Sequence, residues 1–321
     1  MKLKLLKTIS TLLIITFTFS LCISLVSCDG KDAPQKNDHI IFTDALGREI
    51  TLKKPPERVA ALLGSFADVW VLSGGKLCAA AEDAWEDFGL ELEGAVNIGG
   101  AHSPSLELLI SASPDLVIAS ASTASNVEMK DALEAMGISV VYFNVDNFAD
   151  YLNMLDICTD ITGRKDLYEQ NGMALKEKID SIKNTYAEAN IPENERRVLL
   201  LRASSTAVKA KGSKGTILGE MLSDIGCVNI ADNNASLLEN LSVETVIKED
   251  PHHIFVVTMG SNTEAAKSSL ENMMKENQAW STLSAVKNDR MYVMDKTLFN
   301  LKPNVRWAQA YEILYEKLTQ K

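Results

Sequence analysis

From His39 onward the chain alternates short, continuously apolar runs with stretches whose apolar residues recur at helical spacing. The runs "ERVAALL" (57–63), "KLCAAA" (76–81), "DLVIAS" (115–120) and "SVVYFNV" (139–145) are bounded by Gly, Pro or charged residues, with helical patterns between several of them. A strand without polar alternation is buried on both faces, the situation of a mainly parallel sheet covered by helices. The spacing predicts a helix over "FADYLNMLDICTDITGR" (148–164) and a second, charge-rich one from Lys165 to about Ala189 with no proline in it. At 1.5 Å per residue the second would span roughly 35 Å, the width of a small domain, and so reads as a bridge. Beyond "NIPENERR" the alternation resumes with "RVLLLRA" (197–203), a helix around 217–225, "HIFVVT" (253–258), "RMYVMD" (290–295) and a closing helix from about Val305.

One unit is written twice. "SLELLISASPDLVIA" (105–119) and "SVETVIKEDPHHIFVV" (242–257) place Ser105, Glu107, Ile110 and Pro114 against Ser242, Glu244, Ile247 and Pro251, and upstream "GAVNI" (94–98) echoes "GCVNI" (226–230). Each copy sets Ser at a helix N-cap, Glu in the first turn, and Pro ahead of a buried strand. Such a carboxylate complements the helix dipole for about 0.3–1 kcal/mol, which is one reason for its presence. The other is function: related lobes would present matching carboxylates to a two-fold partner carrying arginines. The duplication yields the fold class: α/β, two Rossmann-like lobes with mainly parallel sheets joined by one long backbone helix, and a ligand cleft between the lobes.

The N-terminus has a different character. Lys2, Lys4 and Lys7 precede an apolar run from about Ile9 to Val26, the layout of a secretory signal, and "LVSC" (25–28) resembles the bacterial lipobox, with Cys28 as the lipid attachment site. The domain reading is a signal peptide over 1–27, a flexible tether over 28–38, an N-terminal lobe over 39–163, a linking helix over 164–190 and a C-terminal lobe over 191–321. With 321 residues and 46% apolar content, both lobes can bury a core. The net charge of −11, with no dense cluster of Lys and Arg, argues against nucleic acid. Cys78, Cys158 and Cys227 are isolated, without metal or redox spacing, and read as small core residues.

"FTDALGREITLKKPPERVAAL", "GAHSPSLELLISASPDLVIAS", "LENLSVETVIKEDPHHIFVV" and "WSTLSAVKNDRMYVMD", in this order from about Phe42 to the C-terminus, resemble the periplasmic, lipoprotein-type substrate-binding proteins of ABC importers for iron-siderophore, haem and cobalamin, the class III group with a helical backbone. The resemblance implies a lipid-anchored, extracytoplasmic monomer. It would capture a metal chelate, carry no intrinsic cofactor, touch the membrane only through its lipid, and dock on an ABC permease dimer. By motif position the docking residues would be Glu107 and Glu244.

Open α/β sheets bind ligands beyond the carboxyl ends of their strands. That rule places Ser65, Phe66, Asp83, Trp85, Ser122 and Asn144 on the cleft from the first lobe, and Arg202, Ser204, Ser205, Met259 and Phe299 from the second. Ala101 and His102 enter through a loop resembling a cleft-lining stretch of that family, and Arg306 through its "KPNVRW" segment. His102 and Met259 are candidate axial donors to a haem or corrinoid metal, although a loop histidine is ordinarily solvated and methionine ordinarily fills space. Arg202, Lys209, Lys211 and Arg306 are candidates to steer an anionic ligand, Arg306 ranking first, with solvated surface as the default for each. His252 and His253 precede a strand at the end away from the cleft and are not expected to bind metal. Cleft aromatics are few, which disfavours a large macrocycle, though Phe66, Trp85, Phe299 and Trp307 leave it open.

Alternative readings are the same fold binding a smaller oxyanion or free metal complex, a surface adhesion module, and a secreted α/β enzyme. Against the enzyme, the only histidines are His39, His102, His252 and His253, and neither a G-x-S-x-G elbow nor an H-E-x-x-H helix is present.

Overall fold

A computed structural model describes residues 39–260 and 262–320. The expected signal peptide, Cys28, the tether and Ser261 lie outside the described residues. An antiparallel hairpin, β1 (Ile40–Thr43) and β2 (Glu49–Leu52), opens the described chain, turned by Gly47 at φ +75°. The first sheet comprises β3 (Val59–Ala61), β4 (Leu77–Ala80), β5 (Val96–Asn97), β6 (Leu116–Ser120) and β7 (Ser139–Phe143), all parallel in the order β5-β4-β3-β6-β7. The second contains β8 (Arg197–Ala203), β9 (Val208–Lys211), β10 (Val228–Asn229), β11 (His253–Thr258) and β12 (Met291–Met294). Its parallel order is β10-β8-β11-β12, with β9 antiparallel on β8.

The helices that matter for function are α1 (Gly64–Leu72), α2 (Leu106–Ser111), α3 (Phe148–Thr162), α4 (Ala174–Glu188), α5 (Ile217–Ile225), α6 (Val243–Glu249) and α7 (Trp307–Thr319). Central strands are buried along their whole length, as "LVIAS" and "HIFVVT" foretell, because helices cover both faces. Alternate residues divide between layers. Val59, Ala61, Leu116, Ile118, Val141 and Phe143 of the first sheet, and Val198, Leu200, Phe255 and Val257 of the second, contribute to one continuous apolar cluster. Residues from α1, α3, α4, α5 and α7 complete that cluster, and Phe148 at the start of α3 meets Trp307 at the start of α7 edge to face, 5.8 Å between ring centres. Each outer sheet face has a separate cluster. The lobes therefore share a core instead of meeting at a wet seam.

Between the lobes the helix runs from Lys165 to Glu188, with one wide π-type turn at Glu169–Met173. Such a turn accommodates an extra residue and frees a carbonyl, and here the Tyr151 hydroxyl donates to the Asn171 carbonyl at 2.8 Å. Gly172 lets α3 approach closely there: a Cβ would lie 3.0 Å from Leu152 Cδ2 and 3.2 Å from Leu155 Cδ2, so those leucines would have to shift slightly. Helix α3 itself has reciprocal N-terminal capping by Asn147 and Asp150 and ends at Gly163, φ +71°.

Candidate functional site

The repeated unit folds the same way twice. An edge strand (β5 or β10) leads through a short helix (α2 or α6) to a central strand, β6 beside β3 and β11 beside β8. Ser105 and Ser242 cap the two helices at φ/ψ of −81°/113° and −79°/111°, each hydroxyl accepting a backbone N–H three residues on, at 3.3 Å in both copies. The correspondence extends to the exits: Ser113 and Asp250, the residues before Pro114 and Pro251, both lie in the left-handed region, φ +50° and +36°. Glu107 and Glu244 thus occupy the second helical position of matching turns, both exposed and neither in an ion pair among the described residues. Each helix runs back to the amino end of the next parallel strand, so its first turn, with the carboxylate, lies toward the carboxyl edge of its sheet, although a 3-10 turn (Ile230–Asn233) and a short helix (Ala235–Glu239) intervene between β10 and α6.

The expected cleft residues separate into three groups. Ser122, Asn144, His102, Ser205, Met259 and Arg306 are exposed, and Asp83, Trp85, Ala101, Arg202 and Ser204 are partly buried. Phe66 and Phe299 are corrections: at 1% and 2% exposure both belong to the shared core. The cause is local. Helix α1 begins at Gly64, which turns Phe66 inward against Phe143, and Asp295 caps the short helix Lys296–Phe299 so that Phe299 closes on the core. Trp307 is fully buried too, leaving Trp85 as the aromatic of that set that reaches solvent. Ser65 is 6% exposed, and its carbonyl rather than its hydroxyl is engaged, accepting from Asn304.

Arg306, ranked first among the cations in the sequence, and Arg202 stand in different surroundings. Arg306 is exposed and spent locally, Nε on Gln309 at 2.8 Å and Nη1 toward Thr297 at 3.4 Å. Arg202, the penultimate residue of β8, has a buried Nε without a partner. Burial pushes Arg202 and Lys211 below their ordinary values, and on Lys211 the like charges of Arg202 and Lys209 add to the effect. Asp83 also has an unpartnered oxygen, and burial raises its pKa. His253 is buried at the start of β11 between Phe255 and Tyr292, while His252 pairs with Arg290 at 2.7 Å. No group of three or more His, Cys, Asp or Glu suited to a metal ion occurs among the described residues.

Three contacts escaped sequence reasoning. Lys296 Nζ lies 2.9 Å from Asp87 Oδ1, joining segments that follow β12 and β4 across the two lobes. Asn304, in the left-handed region at φ +51°, donates from Nδ2 to the Ser65 carbonyl at 2.9 Å and to Asp68 Oδ2 at 2.8 Å. Lys302 is half-buried beside them; burial lowers its pKa, and Asp146 and Asp150 oppose that shift. Partners this far apart along the chain leave no local spacing to read, and the only hint was the "KPN" stretch next to Arg306.

Residues 59–298 match the family model described as periplasmic binding protein. Among curated proteins the chain is 24% identical to the putative ABC transporter substrate-binding lipoprotein YhfQ of Bacillus subtilis, over 94% of this chain and 95% of the relative. It is 26% identical to the Fe(3+)-citrate-binding protein YfmC of the same organism, over 91% and 90%. Among solved structures, Staphylococcus aureus SirA in complex with staphyloferrin B superposes with a TM-score of 0.68 at 21% identity, covering 87% of this chain and 98% of SirA. The duplicated strand–helix–strand unit, the helical strut and the family match over most of its length place this chain in the periplasmic binding protein family that serves ABC importers.

Proposed function

We propose that the chain is a lipid-anchored, extracytoplasmic receptor that captures a metal chelate (iron-siderophore, haem or corrinoid) between its lobes and delivers it to an ABC permease dimer. Cys28 carries the lipid and residues 28–38 form the tether, a reading supported by the lipobox-like "LVSC" and by relatives named as lipoproteins. Two acyl chains, at roughly 0.8 kcal/mol per buried methylene, hold a protein on a membrane far better than one. The cargo class is supported by relatives named for ferric citrate and, in SirA, crystallised with staphyloferrin B.

The observation that carries the reading is the pair of matched, exposed first-turn carboxylates, Glu107 and Glu244. The local role of a first-turn glutamate in a helix this short is worth about 0.3–1 kcal/mol, which gives no reason for the same residue at the same position of both lobes. A permease dimer offering an arginine to each lobe does. The E107K/E244K double variant, assayed with the cognate permease in proteoliposomes, should lose transport while keeping its chelate affinity. Undiminished transport would refute docking through these residues, and lost chelate binding would return them to a structural role.

A further inference from the structure

We infer that the cargo is a net-anionic, oxygen-donor iron chelate held by Arg202, Lys209 and Lys211, not a haem or a corrinoid; this rests on the receptor reading above and narrows it.

Strands β8 and β9 set the geometry. In their antiparallel register Arg202 faces Lys209 and Leu200 faces Lys211, so the three cationic side chains leave the same face of the sheet. That face begins as core, with Val198 and Leu200 in the shared cluster, and becomes cationic at the carboxyl end of β8, where the fold opens its cleft. Val257 of β11 flanks Arg202 on the other side, and Met259 follows it into solvent at 48% exposure.

The trio is distinguished by its lack of acids. The other cations on the same side of the molecule already have theirs: Lys296 has Asp87, Lys302 lies in the field of Asp146 and Asp150, and Arg306 in that of Asp295. Among the described residues, Arg202, Lys209 and Lys211 form no ion pair and donate no side-chain hydrogen bond, and the Nε of Arg202 is buried besides. Three like charges on adjacent strands, one partly desolvated, are unfavourable in the empty protein; an oxygen-rich anion with several acceptors relieves them together.

The scarcity of accessible cleft aromatics, Trp85 alone of the four expected there, points the same way. A macrocycle is held largely by stacking, yet Phe66, Phe299 and Trp307 are in the core. A compact ferric complex of hydroxycarboxylates or catecholates, with charge on its rim, needs a cationic wall instead. Both ligand chemistries present the same anionic oxygens, so the experiment includes each.

Purified residues 28–321, and the R202M, K211M and K209M/K211M variants, are titrated by intrinsic fluorescence with ferric citrate, a ferric tris-catecholate, haemin and cyanocobalamin, at 0.05 and 0.5 M NaCl. At least one of the two ferric chelates should bind, more weakly at high salt. Its affinity should fall roughly thirtyfold or more in R202M, the loss expected on removing one partner of a desolvated ion pair. The lysine variants, whose side chains (Lys209 exposed, Lys211 partly buried) make no ion pair or side-chain hydrogen bond among the described residues, should weaken binding with unchanged circular dichroism. Chelate affinity unchanged in all variants, or preferential binding of haemin or cyanocobalamin, overturns the inference and leaves the receptor reading intact. Failure of all four ligands to bind the wild-type protein overturns both.

Discussion

Replacing Asn304 by alanine tests how far the two lobes depend on one buried amide. The side chain is 1% exposed and donates to the Ser65 carbonyl and to Asp68, both in the first lobe, from the segment that opens α7. Loss of the neutral bond costs about 0.5–1.5 kcal/mol and loss of the charged one about 1.5–3 kcal/mol. Alanine also pays for φ +51°, which asparagine tolerates, at about 1 kcal/mol. The total is about 3–5.5 kcal/mol, a large share of the roughly 5–15 kcal/mol that holds a folded protein together. Asn304→Gly should recover only the backbone part, about 1 kcal/mol. In an Asp68→Asn background the loss should shrink, because burial already raises the Asp68 pKa and its remaining cost is that of an unpaired charge. Urea unfolding followed by tryptophan fluorescence reads these differences from the midpoint at constant slope. A loss below about 1 kcal/mol for N304A, or a glycine variant no more stable than alanine, would refute the assignment.

Four shorter predictions follow from the same contacts. Ser105→Ala and Ser242→Ala should each lower stability by about 0.5–2 kcal/mol, and by similar amounts because the capping geometries match; values differing severalfold would break the equivalence of the two lobes. Burial holds His253 at a pKa of about 3 against an unfolded value near 6.5, so its contribution is present above pH 6.5 and lost as the pH falls toward 3. His253→Phe, which keeps an aromatic ring between Phe255 and Tyr292, should flatten the fall in stability across that window by at most about 5 kcal/mol, and an unchanged acid limb in the difference curve would contradict this. Lys296→Met removes the tie to Asp87 across the lobes and should speed ligand dissociation in stopped-flow measurements; an unaltered off-rate would leave the pair a passive contact. Small-angle scattering with and without chelate should show little compaction, since a helix and a common core span the lobes, and a large decrease in radius would refute that rigidity.

Much of the fold was legible where composition and environment agree. β8 and β11 carry the bounds that the runs 197–203 and 253–258 mark, because the unbroken apolar stretches 198–201 and 254–257 are buried on both faces and the polar residues stand only toward the ends. The two-residue edges β5 and β10 were visible only as an echo of each other, and β9, reading "VKAK", lacks any apolar run because it lies at the sheet edge with Lys209 exposed and Lys211 only partly buried. At the site, duplication exposed Glu107 and Glu244 to view. The different surroundings of Arg202 and Arg306 were hidden, since they depend on which cation finds a neighbour: Gln309 is one helical turn from Arg306, whereas nothing in the sequence shows that Arg202 forms no ion pair among the described residues. Phe66 and Phe299 were misplaced for a related reason. Strand ends were located correctly, but the helix that starts at once behind each strand rotates the side chain back into the interior.

The wide turn at Glu169–Met173 has a mechanical meaning for the strut. A uniform α-helix would oblige the stripe that grips α3 and the stripe of Leu175, Ile179, Ile182 and Tyr186 that grips the distal lobe to keep a single angular phase. One surplus residue offsets the two stripes by about a quarter turn, much as a keyed coupling lets two shafts be mounted at different angles on one axle. The orientation of one lobe against the other is thereby encoded in a single inserted position, and deleting it would turn the two stripes out of phase and strain the core that the halves have in common.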